Sequence, residues 1–343
     1  MKALVLKKYN EFEIEDVPIP KYGRDDALVR VKACAICGSD VHGMDGNTGR
    51  RIPPIVMGHE AAGIIENVGE NVKEYKPGDR VTFDSTIYCG KCYFCRHGEV
   101  NLCNERKVLG VSCGDYRLHG AFAEYVAVPQ HILYPLPDNV TFERAAMVEP
   151  LSVAFHAIKR SAVLLNSSAV IVSAGMIGLL IIQLLKISGC GKIIAVDMMP
   201  ERLEMARKFG ASEVIKADEL SVPTEVYRLT ENRGADIAFE VVGLTPTVQN
   251  AVASLKKGGA LTLVGNLKSS VDLPLQLVVT RQLTLNGSCA SAGEYPECLD
   301  LIASGKVDVD SFISKVAPLD EGPLWFKRLY DQEKGLMKVI LQP

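Results

Sequence analysis

Two kinds of hydrophobic pattern divide this 343-residue chain. Up to about Glu149 the apolar residues come in short runs or alternate with polar ones. Ala3–Leu6, Ala27–Ala33, Ala61–Val68, Arg80–Phe83 and Ala123–Val128 are examples, the second setting Val29, Val31 and Ala33 against Arg30 and Lys32. Alternation of this period, bounded by Gly, Pro and Asn/Asp, predicts strands, and Pro77-Gly78-Asp79 predicts a turn between two of them. From Leu151 to Gly287 the pattern changes. Short apolar strands (Ala169–Ser173, Lys192–Val196, Ile237–Glu240, Ala260–Val264) are separated by helical stretches such as Ile177–Ser188 and Pro200–Phe209. The latter has Pro at its first turn and Gly210 just past its end. Buried strands alternating with helices form a doubly wound parallel sheet. The tail predicts a helix over Tyr295–Ser304 and a last strand, Met337–Leu341, that returns to the first domain. The expected class is therefore α/β, with a β-rich domain over 1–150 and 288–343 and a parallel-sheet domain over 151–287. The apolar segment Leu273–Leu285 is expected to be an edge strand seeking a partner.

The chain's length suits two domains better than one core. Hydrophobic residues make up 48% and charged residues 23%, as in folded soluble chains. The 29 Gly and 17 Pro are scattered, which excludes low complexity and disorder. The net charge of −3 comes without a block of like charges, so neither a nucleic acid nor an anionic membrane is expected as partner. Ala169–Leu185 carries no charge, but Ser173, Gly175, Gly178 and Gln183 interrupt it, and a spanning helix needs about 20 apolar residues. It reads as a buried strand feeding a buried helix. Met1–Tyr9 lacks the apolar core of a signal peptide, so a cytoplasmic protein is expected.

In that setting ten cysteines point away from disulfides, and their distribution is uneven. Cys34, Cys37, Cys113, Cys190, Cys289 and Cys298 are dispersed, whereas Cys89, Cys92, Cys95 and Cys103 crowd one loop. Four thiolates at such spacings can wrap a small ion into a closed tetrahedral zinc site, whose role is to hold the loop in shape. The spacing also suits an iron–sulfur centre; a loop carrying Lys91, Arg96 and His97 looks exposed and favours zinc.

A second, open site is expected from Cys37-Gly38-Ser39-Asp40-Val41-His42, Gly58-His59-Glu60 and Glu149-Pro150. Cys37, His59 and one carboxylate, Glu149 or Glu60, would supply three ligands and leave a fourth position for a substrate, the arrangement of catalytic zinc.

A nucleotide turn follows strand Ala169–Val172. Ser173-Ala174-Gly175-Met176-Ile177-Gly178 departs from Gly-x-Gly-x-x-Gly only at the first glycine. Gly175 permits close approach of a pyrophosphate, Gly178 permits tight helix–strand packing, and the helix N-terminus offers unpaired N–H groups. Asp197 ends the next strand, where a carboxylate accepts from the adenosine ribose and repels a 2′-phosphate. It could also cap the helix that begins at Pro200. The expected cofactor is NAD.

Taken together, Cys37-Gly38-Ser39-Asp40, Gly58-His59-Glu60, Pro77-Gly78-Asp79-Arg80-Val81, the four cysteines, Glu149-Pro150-Leu151-Ser152-Val153 and the nucleotide turn resemble the zinc-dependent medium-chain alcohol dehydrogenases, in particular their polyol branch. The resemblance covers nearly the whole chain. It implies a GroES-like catalytic domain beside a Rossmann domain, two zinc ions per chain, and a homodimer or homotetramer. It makes Cys37, His59 and Glu149 the catalytic-zinc ligands, with Glu60 behind the metal or exchanging onto it. Asp40 would bond the far nitrogen of His59, and Ser39 and His42 would relay a proton; their plainer readings are a cap, a turn residue and a surface histidine. Arg202 would sit beside the ribose and Lys338 near the pyrophosphate, unless the latter is a solvated lysine. Gly243, Gly265 and Ser288 end strands and would line the nicotinamide, which would meet the metal in a cleft between the domains. The implied reaction is hydride transfer from a secondary alcohol of a polyol or sugar-alcohol phosphate to NAD. Arg50 and Arg51 are candidate receptors for a phosphate or hydroxyls. Threonine-type and 2,3-butanediol-type dehydrogenases share most of these motifs, and a non-catalytic NAD- and zinc-binding protein is the rival from another class.

Overall fold

The computed structural model describes residues 1–343 and divides them into two compact units, Met1–Glu149 with Ala292–Pro343, and Pro150–Ser291. In the first, strands Leu133–Pro135, Arg80–Phe83, Glu60–Val68, Asp26–Ala35, Lys338–Gln342 and Ile313–Pro318 lie side by side in that order, and Tyr125–Pro129 also pairs with Asp26–Ala35. A smaller sheet joins Glu11–Asp16, Lys2–Lys8 and Ile55–Val56. Between these sheets Val29, Val31, Phe83, Phe122, Val126, Phe326 and Leu341 pack into one core. The last strand thus crosses back from the chain's end to pair antiparallel with Asp26–Ala35, which ties the tail to the first unit.

The second unit is a six-stranded parallel sheet in the order Glu213–Lys216, Lys192–Asp197, Ser168–Val172, Ala235–Glu240, Leu255–Leu263, Thr284–Gly287. Strand Ser168–Val172 is buried throughout, as its unbroken apolar run requires. Helix Met176–Ile187 follows it with an equally buried face.

Two sequence expectations change. Leu273–Leu285 is not one strand: Leu275–Thr280 is a helix opening at Pro274, and only Thr284–Gly287 pairs at the sheet edge. The apolar run was misleading because Leu273, Leu275 and Val279 face outward here. The return to the first unit falls at Ala292, not Ser288, since the Ser288 amide still donates to Leu263 and extends the ladder. No helix is long and apolar enough to cross a membrane.

Candidate metal centres and nucleotide turn

His59 is placed by glycines. Gly58 sits at φ +96°, and a Cβ there would lie 2.8 Å from both the Cys34 sulfur and the Phe122 amide. Gly120 crosses it so closely that its own Cβ would fall 2.1 Å from the Gly58 carbonyl. No bulkier backbone passes here, and the crossing delivers His59 and Glu60 to the interior. Cys37 reaches the same place from the turn after Asp26–Ala35. There it caps the short helix Gly38–Val41, its Sγ accepting from the Ser39 amide at 3.4 Å and from Ser39 Oγ at 3.2 Å.

The ligand atoms of Cys37, His59 and Glu60 lie within 4.8 Å of one another. Glu149, at the start of helix Val148–Lys159, shares their electrostatic environment. Burial lifts its carboxyl well above the usual carboxylate range; His59 opposes this, and Glu60 and Cys37 add to it. Burial likewise pushes the Cys37 thiol up to about 12, with Glu60 contributing. A dehydrated thiol crowded by acids is held protonated in the absence of a cation, and a divalent ion is the species that reverses this. A second observation fits the same reading. His59 Nδ1 and Asp40 Oδ2 are buried without a hydrogen-bond partner, 3.5 Å apart. That pair is in position to fix the ring when its other nitrogen is engaged.

Lys338 is not the solvated lysine of the plainer reading. It is buried, and its ammonium lies 2.6 Å from Glu60 Oε2 and donates to the Ile36 carbonyl at 3.1 Å. A dehydrated carboxylate demands such a counter-ion, and the partner stands 278 positions away in the chain. Arg51 also departs from expectation: it is buried against Asp40, while Arg50 is exposed. Ser39 and His42 are both exposed on the same short turn.

The four loop cysteines converge, their sulfurs within 4.8 Å of one another and all of them free thiols. Tetrahedral zinc with Zn–S bonds of ~2.3 Å sets sulfurs ~3.8 Å apart, so the cage fits with small adjustment. Backbone amides already face the sulfurs, Cys89 N and Glu105 N onto Cys103 and Cys92 N onto Cys89. Amides of Cys95 and Asn104 bring the Cys92 thiol down to about 6. Burial, with Cys92 and Cys103 adding, pushes Cys95 up to about 12.

In the second unit Ser173 adopts φ +89°, a conformation normally left to glycine. Its hydroxyl ties the turn together, accepting from the Gly175 amide at 3.3 Å and donating toward Asp197 at 3.5 Å. Asp197 is also the turn's anchor, accepting from the amides of Ala174 at 2.8 Å and Met199 at 3.0 Å, with Arg202 3.8 Å away. Gly175 caps helix Met176–Ile187 without a side-chain bond, so no cap side chain satisfies the first helical amides. A Cβ on Gly178 would fall 2.0 Å from the Ser173 carbonyl, whereas one on Gly175 would meet only Ser173 Oγ at 3.6 Å. Gly243 and Gly265 let two strand ends cross, a Gly265 Cβ lying 2.1 Å from the Val242 amide. Buried Glu240 holds this crossing by accepting from Val242 N, Gly243 N and Thr247 Oγ1. Ser288 Oγ is buried with no partner.

Comparison with known proteins agrees with this chemistry. The alcohol dehydrogenase GroES-like domain family matches residues 23–138, and the zinc-binding dehydrogenase family matches residues 177–304. Sorbitol dehydrogenase of Bacillus subtilis (strain 168) is 34% identical, the match covering 100% of this chain and 97% of that one. The chain belongs to the zinc-dependent medium-chain alcohol dehydrogenases. As a member of that family this dehydrogenase is an oxidoreductase that uses zinc and a nicotinamide cofactor and acts on a small molecule. Galactitol-1-phosphate dehydrogenase of Escherichia coli superposes with a TM-score of 0.92 at 27% identity, covering 100% of both chains. A zinc-binding dehydrogenase of Sinorhizobium meliloti 1021, solved with NADP, gives 0.91 at 31% identity over 100% of this chain and 99% of that one.

Proposed function

We propose that this dehydrogenase oxidises a secondary alcohol of a polyol or sugar-alcohol phosphate, with NAD as acceptor and two zinc ions per chain. The observation that carries the site assignment is the gathering of Cys37, His59 and Glu60 within 4.8 Å, in the field of Glu149. Cys37, His59 and Glu149 would hold the catalytic ion: one thiolate and one carboxylate match a divalent charge, and imidazole suits zinc. Glu60 already has Lys338 as counter-ion, which supports its standing behind the metal. Cys89, Cys92, Cys95 and Cys103 would hold the structural ion.

When bound, zinc lowers the pKa of an alcohol hydroxyl, and NAD takes up the hydride. The chain's own residues do the rest. Asp40 orients the His59 ring. Ser39 accepts the substrate's hydroxyl proton as it passes its own on toward exposed His42, three residues along, which hands a proton to solvent. Uncapped amides at the start of helix Met176–Ile187 receive the pyrophosphate. Asp197 faces the ribose, and its anchored carboxylate disfavours a 2′-phosphate, the basis for preferring NAD to NADP even though a relative binds NADP. Gly243, Gly265 and Ser288 end their strands on the cofactor side. The names of relatives, sorbitol dehydrogenase and galactitol-1-phosphate dehydrogenase, support the substrate class. Ten free thiols suit a cytoplasmic setting, and the outward Leu275 and Val279 suit self-association into a dimer or tetramer.

Reduced-cofactor formation, followed at 340 nm across polyols, their phosphates, threonine and 2,3-butanediol with NAD and NADP in parallel, tests the proposal. The largest kcat/KM is expected for a polyol-type substrate with NAD. A maximum with threonine or butanediol, or with NADP, overturns the corresponding part.

A further inference from the structure

Arg51 looks in sequence like its neighbour Arg50, a loop arginine ready for a substrate. The structure gives it a different task. Its side chain is only 4% exposed and all three guanidinium nitrogens are spent inside the protein. Nε donates to Asp40 Oδ1 at 2.9 Å and Nη2 lies 2.8 Å from the same oxygen. Nη2 also donates to Ser39 Oγ at 3.2 Å, and Nη1 to the Arg50 carbonyl at 3.0 Å. The fold makes room for this. A Cβ on Gly43 would lie 2.6 Å from Arg51 Cγ and 2.9 Å from the Ser39 carbonyl, so the turn carrying Ser39 can close over the arginine stem only with glycine there.

We infer that Arg51 is a positioning residue that locks Asp40 and Ser39 into one frame. The inference rests on the assignment of Cys37, His59 and Glu149 as the metal-holding group. With Oδ1 fixed on the guanidinium, the other oxygen of Asp40 faces His59 Nδ1 at 3.5 Å, so the arginine sets the pose of the imidazole through Asp40. At Ser39, a hydroxyl has two lone pairs and one proton. The guanidinium engages one lone pair, and the proton can point to Cys37 Sγ at 3.2 Å. One lone pair is left to accept a hydrogen bond from a substrate hydroxyl, whose proton Ser39 can take only as it releases its own. A guanidinium meets both acceptors because its donors form a rigid planar fork; an ammonium is a point charge without that geometry. The same commitment removes Arg51 as a receptor for a substrate phosphate.

The test compares Arg51→Met and Arg51→Lys in the full-length enzyme, with the catalytic ion exchanged for cobalt(II). Arg51→Met should lower kcat about 10- to 100-fold, the usual cost of losing a group that orients a metal ligand. It should also shift the visible cobalt spectrum and leave the NADH dissociation constant unchanged. Arg51→Lys keeps the charge and should recover only part of kcat. If Arg51→Met does not fold, Gly43→Ala, whose methyl displaces the arginine stem, is read by the same spectrum and kcat. Wild-type kcat and cobalt spectrum in the variant overturn the inference, whatever happens to the melting temperature. If the wild-type enzyme takes up no cobalt at Cys37 and His59, the site assignment itself fails, and this inference falls with it.

Discussion

Replacing Cys37 with Ser is expected to abolish turnover while NADH still binds as in the wild type. A serine hydroxyl is a poor ligand for zinc at neutral pH, where thiolate is a strong one. Loss of the ion removes charge stabilisation worth several kcal/mol, and about 4 kcal/mol is already a thousandfold in rate. The nucleotide turn over Ser173–Gly178 and Asp197 lies in the other unit, Pro150–Ser291, and makes no use of Cys37. Steady-state turnover and a fluorescence titration with NADH separate the two effects. Full residual activity refutes the ligand assignment; joint loss of activity and NADH affinity refutes the division of labour.

Two glycines three residues apart should fail in opposite ways. In Gly178→Ala the new methyl would stand 2.0 Å from the Ser173 carbonyl and 3.3 Å from the Ile171 side chain. A backbone carbonyl cannot swing aside, so helix Met176–Ile187 must move off its strand. Overpacking of this kind costs about 1–3 kcal/mol, or roughly 3–10 °C in melting temperature for a chain of this class. In Gly175→Ala the methyl meets only a serine hydroxyl at 3.6 Å, so the fold should persist. It is the ligand that loses. The methyl occupies the face on which a pyrophosphate approaches, and NADH affinity should fall about tenfold, equivalent to about 1.4 kcal/mol. Thermal melts and NADH titrations on both variants check the contrast. A stable Gly178→Ala enzyme, or a Gly175→Ala enzyme with unchanged affinity, contradicts it.

The strand–helix alternation of the second unit was readable because each element carries its own signal. Helix Pro200–Phe209 opens with proline and closes on Gly210 at φ +120°, both visible in sequence. The side chains that the fold gathers into two candidate metal sites were readable for a similar reason, since cysteine and histidine at strand ends and short spacings are rare by chance. What could not be read depends on which face of the chain turns inward. Arg50 and Arg51 differ in burial but not in type, and no alternation marks the loop that holds them. Lys338 and Glu60 meet only because the last strand returns across the whole chain. Asp197 was recognised by its distance from the glycines, yet its grip on the amides of Ala174 and Met199 comes from the turn's closed shape. The Leu275–Thr280 helix shows the reverse failure, an apolar composition that suggested burial in a strand where the residues face outward.

Two ions on two separate ligand sets are expected in each chain, and metal content reads this out. Mass spectrometric zinc analysis of the purified protein should give two zinc ions in the wild type, and in His59→Ala one, retained by the four cysteines. A wild type with a single zinc, or a His59→Ala protein that keeps both, would mean that the two ligand sets do not hold separate ions.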